Sequence, residues 1–129
     1  MVVDSSAVIE WLLRTQKGSL VEARLFAKWQ SLNAPHLIDV EVIQVMRRYV
    51  RERALTEAGA QGRLQSLMDL PLLRHSHTPL LHRVWELRHH LTAYDAVYLA
   101  LAELLDAPLL TCDAKLATAP GHHAIVEVV

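Results

Sequence analysis

Cysteine, glycine and proline are all sparse in this 129-residue chain, which holds one Cys, four Gly and five Pro. The lone Cys112 has no partner for an internal disulfide and suits a reducing cytosol. So little glycine and proline leaves no disordered stretch. Gly18, Gly59, Gly62 and Gly121 build neither a GxGxxG turn nor a phosphate-cradling loop. No apolar run approaches the length needed to span a bilayer, so no membrane association is expected. An acid arrives at Asp4 with no basic leader before it, and the expected location is the cytoplasm. Excess charge is missing too. Thirteen Lys and Arg against fourteen Asp and Glu leave a net charge of −1, which argues against bulk electrostatic coating of nucleic acid. It does not argue against an enzyme whose own acids mask a local basic patch.

The chain does have alternation, and with 52% hydrophobic residues it has material for one real core. Met1–Asp4 reads as a short strand, with Met1, Val2 and Val3 apolar and Asp4 at its end. Ser5 or Ser6 can cap a helix over Ala7–Arg14. Val21, Leu25, Trp29 and Leu32 follow helical spacing and predict a helix across Ser19–Leu32, broken at Asn33-Ala34-Pro35 with room for a very short strand. Leu37–Arg53 is the clearest amphipathic helix: Ile38, Val42, Val45 and Tyr49 form its apolar stripe, with Arg47 and Arg51 opposite. Thr56 is placed to cap a helix reaching Asp69, weakened by Gly59 and Gly62, and Leu70–Arg74 reads as a strand. Thr78-Pro79 has the form of a cap followed by proline at the first helical position, opening a helix that ends near His90. Thr92-Ala93-Tyr94-Asp95 resembles a capping box and starts a helix from Ala93 to Asp106, apolar almost all round and hence buried. Pro108–Cys112 is a strand ending at Asp113, Ala114–Ala117 a short helix, and Ile125–Val129 the last strand. This order predicts a single α/β domain over residues 1–129, with a mainly parallel central sheet flanked by helices.

Four acids far apart in the chain, Asp4, Glu41, Asp95 and Asp113, fall at equivalent points of that order. Each sits where a strand ends or a helix begins, and those points share the edge where open parallel sheets put their ligand crevice. Taken singly, each has an ordinary explanation. Asp4 and Asp113 would serve as helix caps, Asp95 as the third residue of its capping box, and Glu41 as a partly exposed acid near its helix start. The joint pattern argues otherwise. Val97, Tyr98, Leu99 and Leu101 around Asp95 are apolar, and burying an unpaired carboxylate is costly. Glu41 lies about 40° from Val45 at 100° per residue, on the edge of the apolar stripe, whereas Asp39 points to the other flank. Four gathered carboxylates repel unless a hard cation holds them. Oxygen donors without His or Cys spacing favour Mg²⁺ or Mn²⁺ over zinc. The pattern predicts a metal-dependent phosphodiesterase-type enzyme.

The segments carrying these acids are MVVDSSA (Met1–Ala7), PHLIDVE (Pro35–Glu41), LTAYDAVYLALA (Leu91–Ala102) and LLTCDAKLA (Leu109–Ala117). They resemble the PIN domain and, more narrowly, the VapC-like toxin ribonucleases of bacterial and archaeal toxin–antitoxin pairs. The similarity covers essentially the whole chain in order and spacing, and is most specific around Asp95. It implies a PIN-like (Rossmann-like) fold and hydrolysis of an RNA phosphodiester bond that leaves a 5′-phosphate on the downstream fragment. The family's acids fall on Asp4, Glu41, Asp95 and Asp113, with one or two Mg²⁺ (or Mn²⁺) ions among them. Asp4 and Asp95 are then expected as direct metal ligands, Asp113 as a ligand directly or through water, and Glu41 as the group that holds or deprotonates the attacking water. Ser6 and Thr111 would orient the carboxylates by donating to them. An RNA substrate, a cognate VapB-like antitoxin and a homodimer complete the implied partners. One position departs from the family: Asn often stands three residues after the Glu, and here it is Gln44, whose longer reach leaves it out of the expected site.

Other residues invite a role. Glu103 and Asp106 share a helix with Asp95 but read as helix-end or surface acids, Asp106 lying about 16 Å further along at 1.5 Å per residue. Glu10 reads as exposed. The eight histidines include the close pairs His75/His77, His89/His90 and His122/His123, yet none has i, i+4 spacing and no Cys cluster accompanies them, so zinc is not expected. Cys112 reads as a small buried strand residue. Arg47, Arg48 and Arg51 either steer RNA phosphates or form an ordinary solvated face. Trp11, Leu12, Trp29 and Leu32 either line a groove for an antitoxin helix or dimer contact, or pack in the core. A phosphoryl-accepting receiver domain is excluded by Ser5 and Ser6 after Asp4 and by the absence of Lys after Lys115. Two alternatives share the fold: a non-catalytic PIN-like scaffold or RNA-binding module, and a PIN nuclease acting outside a toxin–antitoxin pair.

Overall fold

The structure, a computed structural model, describes residues 1–27 and 30–129. The chain runs β1 (Val2–Val3), α1 (Ser5–Leu13), α2 (Gln16–Leu25), β2 (Leu32–Pro35), α3 (Leu37–Arg51), α4 (Glu57–Asp69) and β3 (Leu72–His75). It continues through α5 (Leu81–Glu86), which is flanked by 3-10 turns at Thr78–Leu80 and Leu87–His89, then α6 (Ala93–Leu104), β4 (Leu109–Thr111), α7 (Ala114–Thr118) and β5 (Val126–Val128). The strands form one five-stranded sheet in the order β3-β2-β1-β4-β5, and every pairing is parallel. The alternation read from the sequence therefore folds as an α/β domain with helices on the sheet. Parallel strands covered on both faces are apolar throughout rather than alternating. Accordingly Val2, Val3, Ala34, Leu109 and Leu110 are all fully buried.

Several boundaries differ from expectation for identifiable reasons. The helix expected across Ser19–Leu32 is α2, opened by Thr15, whose hydroxyl accepts the Gly18 N–H at 3.0 Å. Leu32 belongs instead to β2 and is buried there, since a buried strand residue can fall in phase with a preceding helix. Trp29 lies outside the described residues. The first helix starts at Ser5, so Asp4 and neither serine takes the cap position. Thr78 is the first residue of its turn rather than the cap, and the helix expected to run to His90 is a short α-helix between two 3-10 turns. In α3 the buried set is Ile38, Val42 and Met46, with Met46 in place of the half-buried Val45 and Tyr49. Among the described residues no helix is long and apolar enough to cross a membrane.

Candidate active site

The strand order reverses between β1 and β4: β1 leads out to β2 and β3, while β4 leads to β5 on the other side. Such a switch point is where an open parallel sheet leaves a crevice at its carboxyl edge. Register places the first acid there. Val2 pairs with Leu109 and Val3 with Leu110, and the Asp4 N–H donates to the Leu110 carbonyl at 2.9 Å. One step further, Asp4 stands beside Thr111, and alternation along the strands turns both side chains to one face.

Asp4 occupies the cap position of α1 in extended backbone, yet its side chain makes no cap bond. Its Oδ2 instead accepts the Thr111 hydroxyl at 2.7 Å and the Ser6 hydroxyl. Ser6 Oγ in turn accepts the Cys112 N–H at 2.9 Å, and Thr111 Oγ1 accepts the Asp113 N–H at 3.0 Å. Ser6 and Thr111 thus stand where the sequence placed them, as donors that hold the Asp4 carboxylate. Asp4 is only 6% exposed. Burial pushes its carboxyl above the ordinary range despite the opposing Ser6 and Thr111 hydroxyls.

Glu41 is half-buried on α3 and accepts the phenol of Tyr98 on α6 through Oε2. Burial pushes Glu41 up, the Tyr98 and Ser5 hydroxyls oppose it, and the charges of Asp4 and Asp95 push it further up. Those charges bring three of the four acids into one electrostatic neighbourhood. Asp95 is half-buried in the first turn of α6, and its N–H donates to Thr92 Oγ1 at 3.1 Å, which is the first half of the capping box. Asp113 is half-buried at the cap of α7, where its Oδ1 accepts the Lys115 N–H at 2.9 Å. Its backbone N–H meets the same Thr111 hydroxyl that serves Asp4, while its carboxylate caps α7. Among the described residues no three His, Cys, Asp or Glu side chains stand close enough to hold an ion as they are. The chemistry of the donor set nevertheless fits a hard divalent cation: it is oxygen only, partly buried and mutually repelling.

Several of the other acids and histidines are occupied elsewhere. Asp39 takes Arg74 Nε and Nη2 at 2.7 and 2.9 Å. Glu10 is half-buried, not exposed, and accepts the Thr15 hydroxyl. Glu103 is no surface acid either. It accepts Arg83 Nε at 2.6 Å and Nη2 at 3.0 Å, and the His123 N–H at 2.7 Å. Burial pushes its carboxyl up, but these donors outweigh burial and hold it below the usual range. Asp106 is exposed, as expected. His77 Nε2 accepts the Leu37 N–H at 3.0 Å, and His75 bonds Asn33 Oδ1 at 2.8 Å. Gln44, Arg47, Arg48 and Arg51 are exposed. Leu12 and Leu32 are core residues, while Trp11 stands half-buried with its ring 5.9 Å from that of Phe26. Cys112 is a half-buried free thiol just past β4, pushed up by burial.

Tyr98, whose hydroxyl meets Glu41, is the site neighbour not legible in the sequence, where it reads only as an apolar neighbour of Asp95. The available signal was its spacing: three residues after Asp95, it leaves the same helix face.

An acidic edge at the switch point of a parallel sheet defines an α/β domain built to act on a ligand at its strand ends. The PIN domain family model matches residues 1–121, and the chain belongs to the PIN-domain family. It is similar to ribonuclease VapC1 of Mycobacterium tuberculosis, 42% identical over 99% of this chain and 96% of that protein. It is also similar to ribonuclease VapC12 of the same organism, 36% identical over 100% of this chain and 98% of that protein. Among solved structures, PAE2754 from Pyrobaculum aerophilum superposes with a TM-score of 0.68 at 26% identity, covering 97% of this chain and 81% of that one. VapBC2 from Rickettsia felis, bound to a DNA fragment from their promoter, shares the fold with a TM-score of 0.73 at 14% identity, covering 98% of this chain and 96% of that one.

Proposed function

We propose that the chain is a VapC-type toxin ribonuclease that hydrolyses RNA phosphodiester bonds at Asp4, Glu41, Asp95 and Asp113, with Mg²⁺ or Mn²⁺ as cofactor. The observation that carries the reading is Asp4, a carboxylate 6% exposed at the switch point of the sheet and held there by the Ser6 and Thr111 hydroxyls. Relatives named ribonuclease VapC that align with the chain almost end to end support RNA as the substrate. The VapBC2 neighbour supports a VapB-like antitoxin as the partner. A homodimer acting in the cytoplasm belongs to the same proposal.

Asp4 and Asp95 would hold the cation directly, and Asp113 directly or through water. Once bound, the cation supplies charge neutralisation for the scissile phosphate and for the leaving 3′ oxygen. Thr111 and Ser6 keep the Asp4 carboxylate in one orientation. Glu41, oriented by the Tyr98 phenol on Oε2, holds the attacking water and takes its proton. The hydroxyl adds to phosphorus as the bond to the 3′ oxygen breaks, and that oxygen takes a proton from solvent water, leaving a 5′-phosphate downstream and a 3′-hydroxyl upstream.

The test is Asp95→Asn, which keeps the N–H that Thr92 caps. It is expected to abolish RNA cleavage in Mg²⁺ with an unchanged far-UV circular dichroism spectrum, and excess EDTA is expected to silence the wild type. Wild-type cleavage by this variant, or activity surviving EDTA, would overturn the reading.

A further inference from the structure

Tyr98 is 1% exposed and among the largest fully buried side chains of the protein. A phenol placed that deep needs a hydrogen-bond partner, whereas phenylalanine would fill nearly the same space without one. Its partner is Glu41 Oε2, 57 positions away in sequence. The two residues ride on differently supported helices. α3 packs on α1, α4 and β2, while α6 packs on α5 and on β1, β2 and β4. Their hydrogen bond therefore joins the helix that carries Glu41 to the helix that carries Asp95. Burial and the bond to Glu41 push the phenol above its ordinary range, so Tyr98 keeps its proton near neutral pH.

We propose that Tyr98 is the positioning residue for Glu41: by donating its phenolic proton to Oε2 it fixes the orientation in which the carboxylate takes the proton of the attacking water. This deepens the ribonuclease reading and rests on it. Tyr98 is too buried to touch RNA, so its effect falls on turnover rather than on substrate binding. Its effect must also pass through Glu41. A side chain that merely filled the core would act on stability, and its loss would add to that of any site variant.

The experiment is a double-mutant cycle of Tyr98→Phe, Glu41→Gln and the pair, read as steady-state cleavage of an RNA oligonucleotide in Mg²⁺. Tyr98→Phe is expected to lower kcat about 10- to 100-fold, the range for residues that orient a metal-site carboxylate, with KM unchanged. The double variant is expected to be no slower than Glu41→Gln alone. Wild-type kcat in Tyr98→Phe, or its full loss repeated in the Glu41→Gln background, would overturn the proposal. So would a crystal structure of the wild-type protein with the phenol beyond hydrogen-bond reach of Glu41, a measurement that does not depend on the variant folding. Asp95→Asn run alongside separates two failures. If Asp95→Asn is inactive while Tyr98→Phe cleaves normally, only the role of Tyr98 falls; if both cleave normally, the site reading falls with it.

Discussion

Thr111 donates its hydroxyl to Asp4 Oδ2 at 2.7 Å across 107 positions of sequence, joining the strand end of β4 to that of β1 at the point where the sheet changes direction. The same hydroxyl oxygen receives the Asp113 N–H, so one buried side chain serves two of the site's acids.

Thr111→Val keeps the shape and removes that oxygen. The buried Asp4 carboxylate loses a donor, and the partly buried Asp113 N–H loses its acceptor. RNA cleavage is expected to fall about 10- to 100-fold, as for other outer hydrogen bonds to metal-binding carboxylates. Thermal denaturation should show a loss of about 1–3 kcal/mol, the usual cost of leaving a buried polar group unpaired. Unchanged activity would mean that Asp4 needs no help in holding its orientation.

Asp4 and Glu41 both have folded-state carboxyls raised above their unfolded values. Between those two values the folded chain binds more protons than the unfolded one, so stability falls as pH rises through the raised range. The contribution is fully present below the ordinary carboxylate range and lost above the raised one. In EDTA, Asp4→Asn removes one charge and keeps an acceptor for Thr111 and Ser6. It is expected to melt above the wild type near neutral pH, with the gap closing toward acid. Mg²⁺ should raise the wild-type Tm at neutral pH and leave Asp4→Asn behind. A gap that widens toward acid would contradict the buried-carboxylate account.

The two glycines Gly18 and Gly62 make opposite predictions. A Cβ on Gly18 would fall on the backbone carbonyl of Glu10, where α2 crosses α1, whereas one on Gly62 meets nothing within 4 Å. Gly18→Ala should therefore destabilise by about 1–3 kcal/mol, as overpacking does. Gly62→Ala, inside α4, should stabilise by about 0.5–1 kcal/mol, because alanine loses less freedom in a helix. Urea denaturation of both variants checks the pair, and equal effects would rule out the packing difference.

Much of this arrangement was legible in the linear chain because it is local. Acids closing apolar runs mark Asp4 and Asp113, a capping pattern marks Asp95, and helical phase separates Glu41 from Asp39. What was not legible is tertiary. Asp4 sits where a cap should, but its carboxylate takes hydroxyls from Ser6 and from Thr111, which arrives from β4. Tyr98 looks apolar in any periodicity count, since its hydroxyl matters only once Glu41 is brought to it from α3. The phase of Leu32 fits a helix, and only pairing with β3 makes it a strand.

Glu103 shows how an acid on the same helix as Asp95 can belong to a different task. It gathers Arg83 from α5 and the His123 N–H from the segment before β5, fastening the far end of α6 to both neighbours. Its side chain is 15% exposed, so the ion pair is partly shielded from water. Glu103→Ala strands these donors and should cost about 1.5–3 kcal/mol, the range for hydrogen bonds to charged groups. Asp106→Asn, at an exposed position that asparagine tolerates in its left-handed backbone (φ 46°), should be near neutral. Below their melting temperatures both variants are expected to cleave RNA with wild-type kcat, because neither side chain lies at the strand-end edge. A fall in the kcat of Glu103→Ala while it remains folded would mean that the distal end of α6 is coupled to Asp95, and that fastening and catalysis are not separate.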